Sequence, residues 1–104
     1  MARDAGVASR DRWVDVEGLS LHLREWIGDT PPVVLVHGLA SNCRTWERVA
    51  AILHSAGHTV YAVDQRGHGL SDKPERGYGF DLVTRDLLRL LGVLAPATPP
   101  LLVG

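Results

Sequence analysis

The feature that most constrains this chain is VVLV at residues 33–36, four apolar residues with no polar residue alternating among them. A strand that faces water on one side must alternate, because successive side chains point to opposite faces. An unbroken run with proline before it and His-Gly after it instead suits a strand buried on both faces, as in a parallel sheet covered by helices. The pattern returns in TVYAV (59–63) and in LLV (101–103). Helical spacings lie between these runs. In 45–56, Trp46, Val49, Ala50 and Leu53 fall at i, i+3, i+4 and i+7. Ser41, Asn42 and Thr45 are candidate caps there, and Gly57 stands where a C-terminal cap glycine belongs. In 81–94, Val83, Leu87, Leu90, Leu91 and Leu94 share one stripe, with Asp81 as a cap or first-turn acid.

The preceding stretch, RWVDVEGLSLHLREWI, alternates apolar and polar residues on both sides of Glu17-Gly18. It reads as an antiparallel hairpin with Gly18 supplying the turn. The expected order is therefore β-β-β-α-β-α-β: an α/β fold with a hairpin first, then parallel strands joined by right-handed crossovers. GDTPP (28–32), DQRGHGLSDKPERGYG (64–79) and APATPP (95–100) read as loops. Residues 1–11 read as a polar, mobile tail and residues 12–104 as the domain.

Composition narrows the partners. A net charge of −1, with 22% charged residues, provides no basic surface for nucleic acid or for an anionic membrane. A single cysteine, Cys43, excludes an internal disulfide and a multi-cysteine metal cluster. The N-terminus is charged and lacks the apolar core of a secretory signal, and no apolar run approaches the ~20 residues of a membrane span. The expected location is the cytoplasm, and the expected partner is a small molecule.

Functional loops in parallel sheets lie at the carboxyl ends of the strands. Here those ends carry HGLASN (37–42), DQRGHGLSD (64–72) and Gly104. GHG at 67–69 is not a dinucleotide-binding turn, because position 72 is Asp and about ten loop residues separate it from the next helix. Taken together, VVLVHGLASNCRTW, DQRGHGLSDKP and the following GYGFDLVTRDLLRLL resemble the N-terminal part of an α/β-hydrolase, from about Trp13 to Gly104.

That resemblance implies a nucleophile elbow, G-x-S-x-G, directly after the last strand, with Gly104 as its first glycine. It also implies that the backbone N–H of Leu39, shared with that of Ala40, is an oxyanion donor, with Gly38 giving the turn and His37 orienting the loop. Neither His37 nor His68 is implied as the base. Asp64, Arg66, Gly67, His68, Gly69, Ser71 and Asp72 are expected to hold their loop through turn bonds and an ion pair.

Ser41 and Ser71 lack an elbow, and nothing near Cys43 lowers its pKa, so it reads as a small buried residue. His22, His54 and His58 read as scattered, without metal-ligand spacing, and the resemblance implies no cofactor and no metal. Trp46 and Tyr78 read as packing residues.

The expectation is thus a piece of a serine hydrolase for esters, lactones or related small molecules, inactive alone without nucleophile, acid and base. A half-enzyme that needs a separate C-terminal partner and a non-catalytic remnant or binding module are the alternatives. An aspartate nucleophile would instead imply a dehalogenase or epoxide hydrolase; HGLASN lacks the proline common in that group, which favours serine. The last strand is expected at an exposed, apolar sheet edge that invites self-association.

Overall fold

The computed structural model describes residues 9–38, 41–95 and 97–104. Strands β1 (Ser9–Val16) and β2 (Leu19–Trp26) form the hairpin, followed by β3 (Asp29–Val36). A 3₁₀ turn (Cys43–Trp46) leads into α1 (Glu47–Ser55). Then come β4 (His58–Val63), α2 (Phe80–Leu94) and β5 (Leu101–Val103). The sheet order is β1-β2-β4-β3-β5, with β3 parallel to both β4 and β5, and β2 antiparallel to β1 and β4.

The apolar runs of β3 and β4 occupy the sheet centre, where their side chains face covered layers, whereas the third run, in β5, lies at the sheet edge with all three residues exposed. On one face Val34, Tyr61 and Val63 join Val14, Val16, Leu21 and Leu23 beneath Leu90 and Leu94 of α2. On the other, Val33, Leu35, Val60 and Ala62 meet Trp26, Cys43 and Ala50 of α1. Each fully buried leucine or valine here contributes about 1.5–3 kcal/mol. No helix among the described residues is long and apolar enough to cross a membrane.

The hairpin turn is tighter than glycine alone explains: Glu17 has φ 53° and Gly18 φ 85°. Two positive values in succession belong to the type I′ turn, whose twist matches that of the flanking strands. Asp15 Oδ1 accepts from the Gly18 N–H at 2.8 Å.

Several boundaries differ from expectation. β1 starts at Ser9, so residues 9–11 of the expected tail are paired strand; residues 1–8 lie outside the described residues. Charge is the reason. Arg10 and Arg12 both reach Glu25, whose side chain is fully buried, and Asp11 reaches His22. β3 begins at Asp29 within the expected loop, with a register break between Asp29 and Val33 that spans the two prolines, which have no N–H to donate. Val49 sits at helical spacing but is 40% exposed; only Ala50 of α1 is fully buried. Asp81 is a first-turn acid of α2 and not its cap, which is Gly79. Asn42 caps the 3₁₀ turn by accepting from the Arg44 N–H.

Candidate functional site

The carboxyl ends of β3 and β4 are clamped to each other through one histidine. His37 is buried, and its Nε2 accepts from the backbone N–H of Gln65 at 3.0 Å. Its Nδ1 lies 2.7 Å from the Gly38 carbonyl. An N–H can only donate and a carbonyl only accept, so Nε2 carries no proton and Nδ1 does. His37 is therefore a neutral imidazole with both nitrogens in use, which excludes it as a base. The Gln65 side-chain amide closes the clamp by donating to the His37 carbonyl at 2.7 Å. The ring of His68 lies 4.9 Å from that of His37, tilted by 51°.

Gly38 does not adopt positive φ, and a Cβ there would meet nothing within 4 Å among the described residues. The Gly38 carbonyl accepts from the Ser41 N–H at 3.2 Å. Leu39 and Ala40 lie outside the described residues. Gly104 follows β5, with the Val36 carbonyl 3.8 Å from where its Cβ would stand. His37, Gly38 and Gly104 are thereby gathered at the carboxyl ends of the neighbouring strands β3 and β5. Gln65 gave no signal in the sequence, since a glutamine inside a polar loop looks like solvent-facing filler. A small cavity of about 190 Å³ opens beside the clamp, against Gln65, His68, Tyr78 and Phe80.

Asp64, directly after β4, ties that strand end to β2 and to the 3₁₀ turn. Its Oδ1 accepts from the Cys43 N–H at 2.6 Å, and its Oδ2 from the Leu70 N–H at 3.0 Å and from His22 Nδ1 at 2.7 Å. Burial alone would raise its pKa, but the hydrogen bonds from Leu70, Cys43 and His22 outweigh it and hold the carboxyl below its ordinary value. Ser71 Oγ donates to the Asp64 carbonyl and accepts from the His22 N–H. Asp72 Oδ2 accepts from the Ser20 N–H. Gly69 is required: with φ +53°, a Cβ there would stand 2.2 Å from Asp64 Oδ2. A Cβ on Gly67 would strike the Tyr78 ring.

The loop's ion pair is not within the loop. Arg66 forks onto Asp86 of α2 at 2.6 and 2.8 Å and donates to the Gly77 carbonyl. Asp64 pairs with His22 instead. His68 Nδ1 donates to the Arg66 carbonyl.

His22 is therefore not an isolated histidine. His22, Cys43 and Asp64 are all buried, and their donor atoms lie within 4.8 Å of one another. A nucleophile, a base and an acid stand together here, yet the geometry does not make a thiol triad. His22 Nδ1 faces Asp64 and Nε2 faces Asp11 at 2.8 Å, so neither nitrogen is free to take the thiol proton. Burial, and then the Asp64 charge, push the Cys43 thiol up to about 12, which keeps it protonated. A cavity of about 380 Å³ lies over this cluster, bordered by Asp11, Arg24, Asn42 and Arg44. His54 and His58 lie elsewhere, each bonded to a backbone carbonyl.

A hairpin and parallel strands, with glycine loops gathered at the carboxyl ends, can be compared with known proteins directly. The family model described as "Serine aminopeptidase, S33" matches residues 30–103. The chain belongs to the α/β-hydrolase family. Among curated α/β-hydrolase relatives, 2-(acetamidomethylene)succinate hydrolase of Mesorhizobium japonicum is 43% identical over 81% of this chain and 30% of its own length. Epoxide hydrolase A of Mycobacterium tuberculosis is 38% identical over 81% of this chain and 27% of its own. Among solved structures, the thioesterase domain from the curacin biosynthetic pathway superposes with a TM-score of 0.85 at 30% identity, covering 93% of this chain and 35% of that one. The chain thus spans less than a third of the length of either curated α/β-hydrolase.

Proposed function

We propose that this chain is the N-terminal part of a serine hydrolase acting on esters, lactones or related small molecules, and that it contributes the oxyanion loop. The observation that carries the reading is the His37–Gln65 clamp, which fixes the backbone leading into Leu39 beside the end of β5. Acyl transfer places negative charge on the former carbonyl oxygen, and a donor for that charge acts best when already in position. In this role the Leu39 N–H, shared with that of Ala40, points at the oxyanion. Gly38 and His37 position it, and Gly104 opens the elbow. The loop of Asp64, Arg66, Gly67, His68, Gly69 and Ser71 holds Gln65 in place, the His68 N–H donating to the Gln65 carbonyl at 3.0 Å.

A triad needs nucleophile, base and acid together. The 104 residues are proposed to contribute none of these and to have no turnover by themselves. Purified chain assayed with a p-nitrophenyl acyl ester should give no saturable cleavage. Saturable cleavage that disappears when residues 37–39 are altered would overturn this.

The coding sequence after codon 104 tests the chemistry. A serine two positions beyond Gly104, within G-x-S-x-G, supports the serine reading. The identity to an epoxide hydrolase favours aspartate as a second reading, and an aspartate at that position would establish it in place of serine. A stop codon would leave the half-enzyme with a separate partner, or a non-catalytic binding module. Activity that appears only when a second polypeptide is added separates those two.

A further inference from the structure

We propose that His22, Cys43 and Asp64 form a binding site for one thiophilic divalent cation of the zinc class. The site uses none of the residues assigned to the oxyanion loop and does not depend on the hydrolase reading. Its donors come from β2, from the 3₁₀ turn and from the end of β4, and all three residues are buried. A nitrogen, a sulfur and an oxygen within 4.8 Å of one another make a donor set suited to zinc. Four-coordinate zinc sets such donors about 3.5 Å apart, so His22 Nδ1 and Asp64 Oδ2, now 2.7 Å apart, open as the metal enters between them.

The surroundings are those of a metal ligand rather than of a simple ion pair. His22 turns Nδ1 toward the cluster, while Asp11 holds Nε2 from outside at 2.8 Å. A carboxylate behind the second ring nitrogen is the usual companion of a ligating histidine. Asp64 is fixed from the backbone by the Cys43 and Leu70 N–H groups, and both bonds survive if a cation replaces the His22 proton on its remaining lone pair. The cavity of about 380 Å³ above the cluster provides an entry path and room for water as a fourth ligand. Arg24 and Arg44 also border it and oppose a dication, whereas Asp11 and Asp64 offset them; Arg24 Nη1 lies 3.6 Å from Asp11.

Binding balances by exchange. The S–H bond of Cys43 and the Nδ1–H bond of His22 break, metal–sulfur and metal–nitrogen bonds form, and two protons pass to solvent. No oxidant or reductant is involved.

Titration of the folded 104-residue chain with Co²⁺, followed by absorption, tests the proposal. One equivalent should bind, produce a thiolate-to-cobalt charge-transfer band, and be displaced by Zn²⁺. Cys43→Ser and His22→Gln should each abolish the band. Because either variant can weaken the fold, Asp11→Asn is the companion; its side chain is partly exposed, and it should weaken binding by about ten- to a hundredfold. A folded wild-type chain that gives no band overturns the proposal, as does a band unchanged in His22→Gln. Binding without the band, through surface histidines, also counts against it, and so does unaltered affinity in Asp11→Asn.

Discussion

At the scale of single residues, Asp64 concentrates the most consequence in the fewest atoms. Asp64→Asn leaves His22 facing a buried group that both donates and accepts, and should destabilise the chain by about 3–5 kcal/mol in denaturant unfolding. The pH dependence has a definite sign. The carboxyl titrates lower in the folded chain than its ordinary value of 3.8, so its contribution is complete above that value. It is lost as pH falls through the lower folded value, and wild type should lose more stability than Asp64→Asn over that acid window.

Gly69→Ala should be comparably damaging, since its Cβ would occupy the Asp64 carboxylate. Cys43 makes the opposite kind of prediction. With its thiol raised from 9.0 to about 12, the thiolate fraction at neutral pH falls about a thousandfold, so alkylation of the native chain should be slow and should accelerate on unfolding. The sequence carried Asp64, Gly69 and Ser71 as loop-formers because their residue types announce turns. It could not carry His22 or Gln65, whose partners are 42 and 28 residues away in the chain.

At the scale of elements, the hairpin turn is the place where a substitution should improve on the natural residue. Glu17 holds φ 53°, a conformation costing a side chain about 1–2 kcal/mol unless it is asparagine or glycine. Glu17→Asn should raise the thermal midpoint, even though it removes an exposed pair with Arg89 that contributes little. An unchanged or lower midpoint would mean that the turn is not the strained point it looks to be.

Strand and helix existence was legible because burial imposes period: two for the hairpin, none for the sheet centre, 3.6 for the helices. The ends were not. β1 reaches Ser9 because Arg10 and Arg12 neutralise Glu25, a pairing that becomes visible only once the register sets Arg10 opposite Glu25 and Arg12 opposite Leu23. Val49 has the right spacing for the core and still faces out, since α1 is buried only along the line of Ala50.

At the scale of the whole molecule, β5 pairs with β3 on one side, and no other described strand pairs with it. Leu101 and Leu102 are each 52% exposed, an apolar edge able to accept another strand. Purified chain should therefore self-associate with rising concentration in sedimentation velocity, and Leu102→Lys should shift it toward monomer. A sharp, reversible, monomeric melt of the wild type would contradict this.

The Asp64 network has a kinetic consequence as well. It joins backbone 42 residues upstream at His22 to the 3₁₀ turn 21 residues upstream at Cys43, so it can close only after β2, β4 and that turn have met. Side-chain bonds that need three separate segments already docked are expected to complete late, once the loop entropy has been lost. Disrupting them should leave the refolding limb of a chevron almost unchanged while the unfolding limb shifts to faster rates. Asp64 would then govern how long the native chain lasts and have little say in how quickly it is reached.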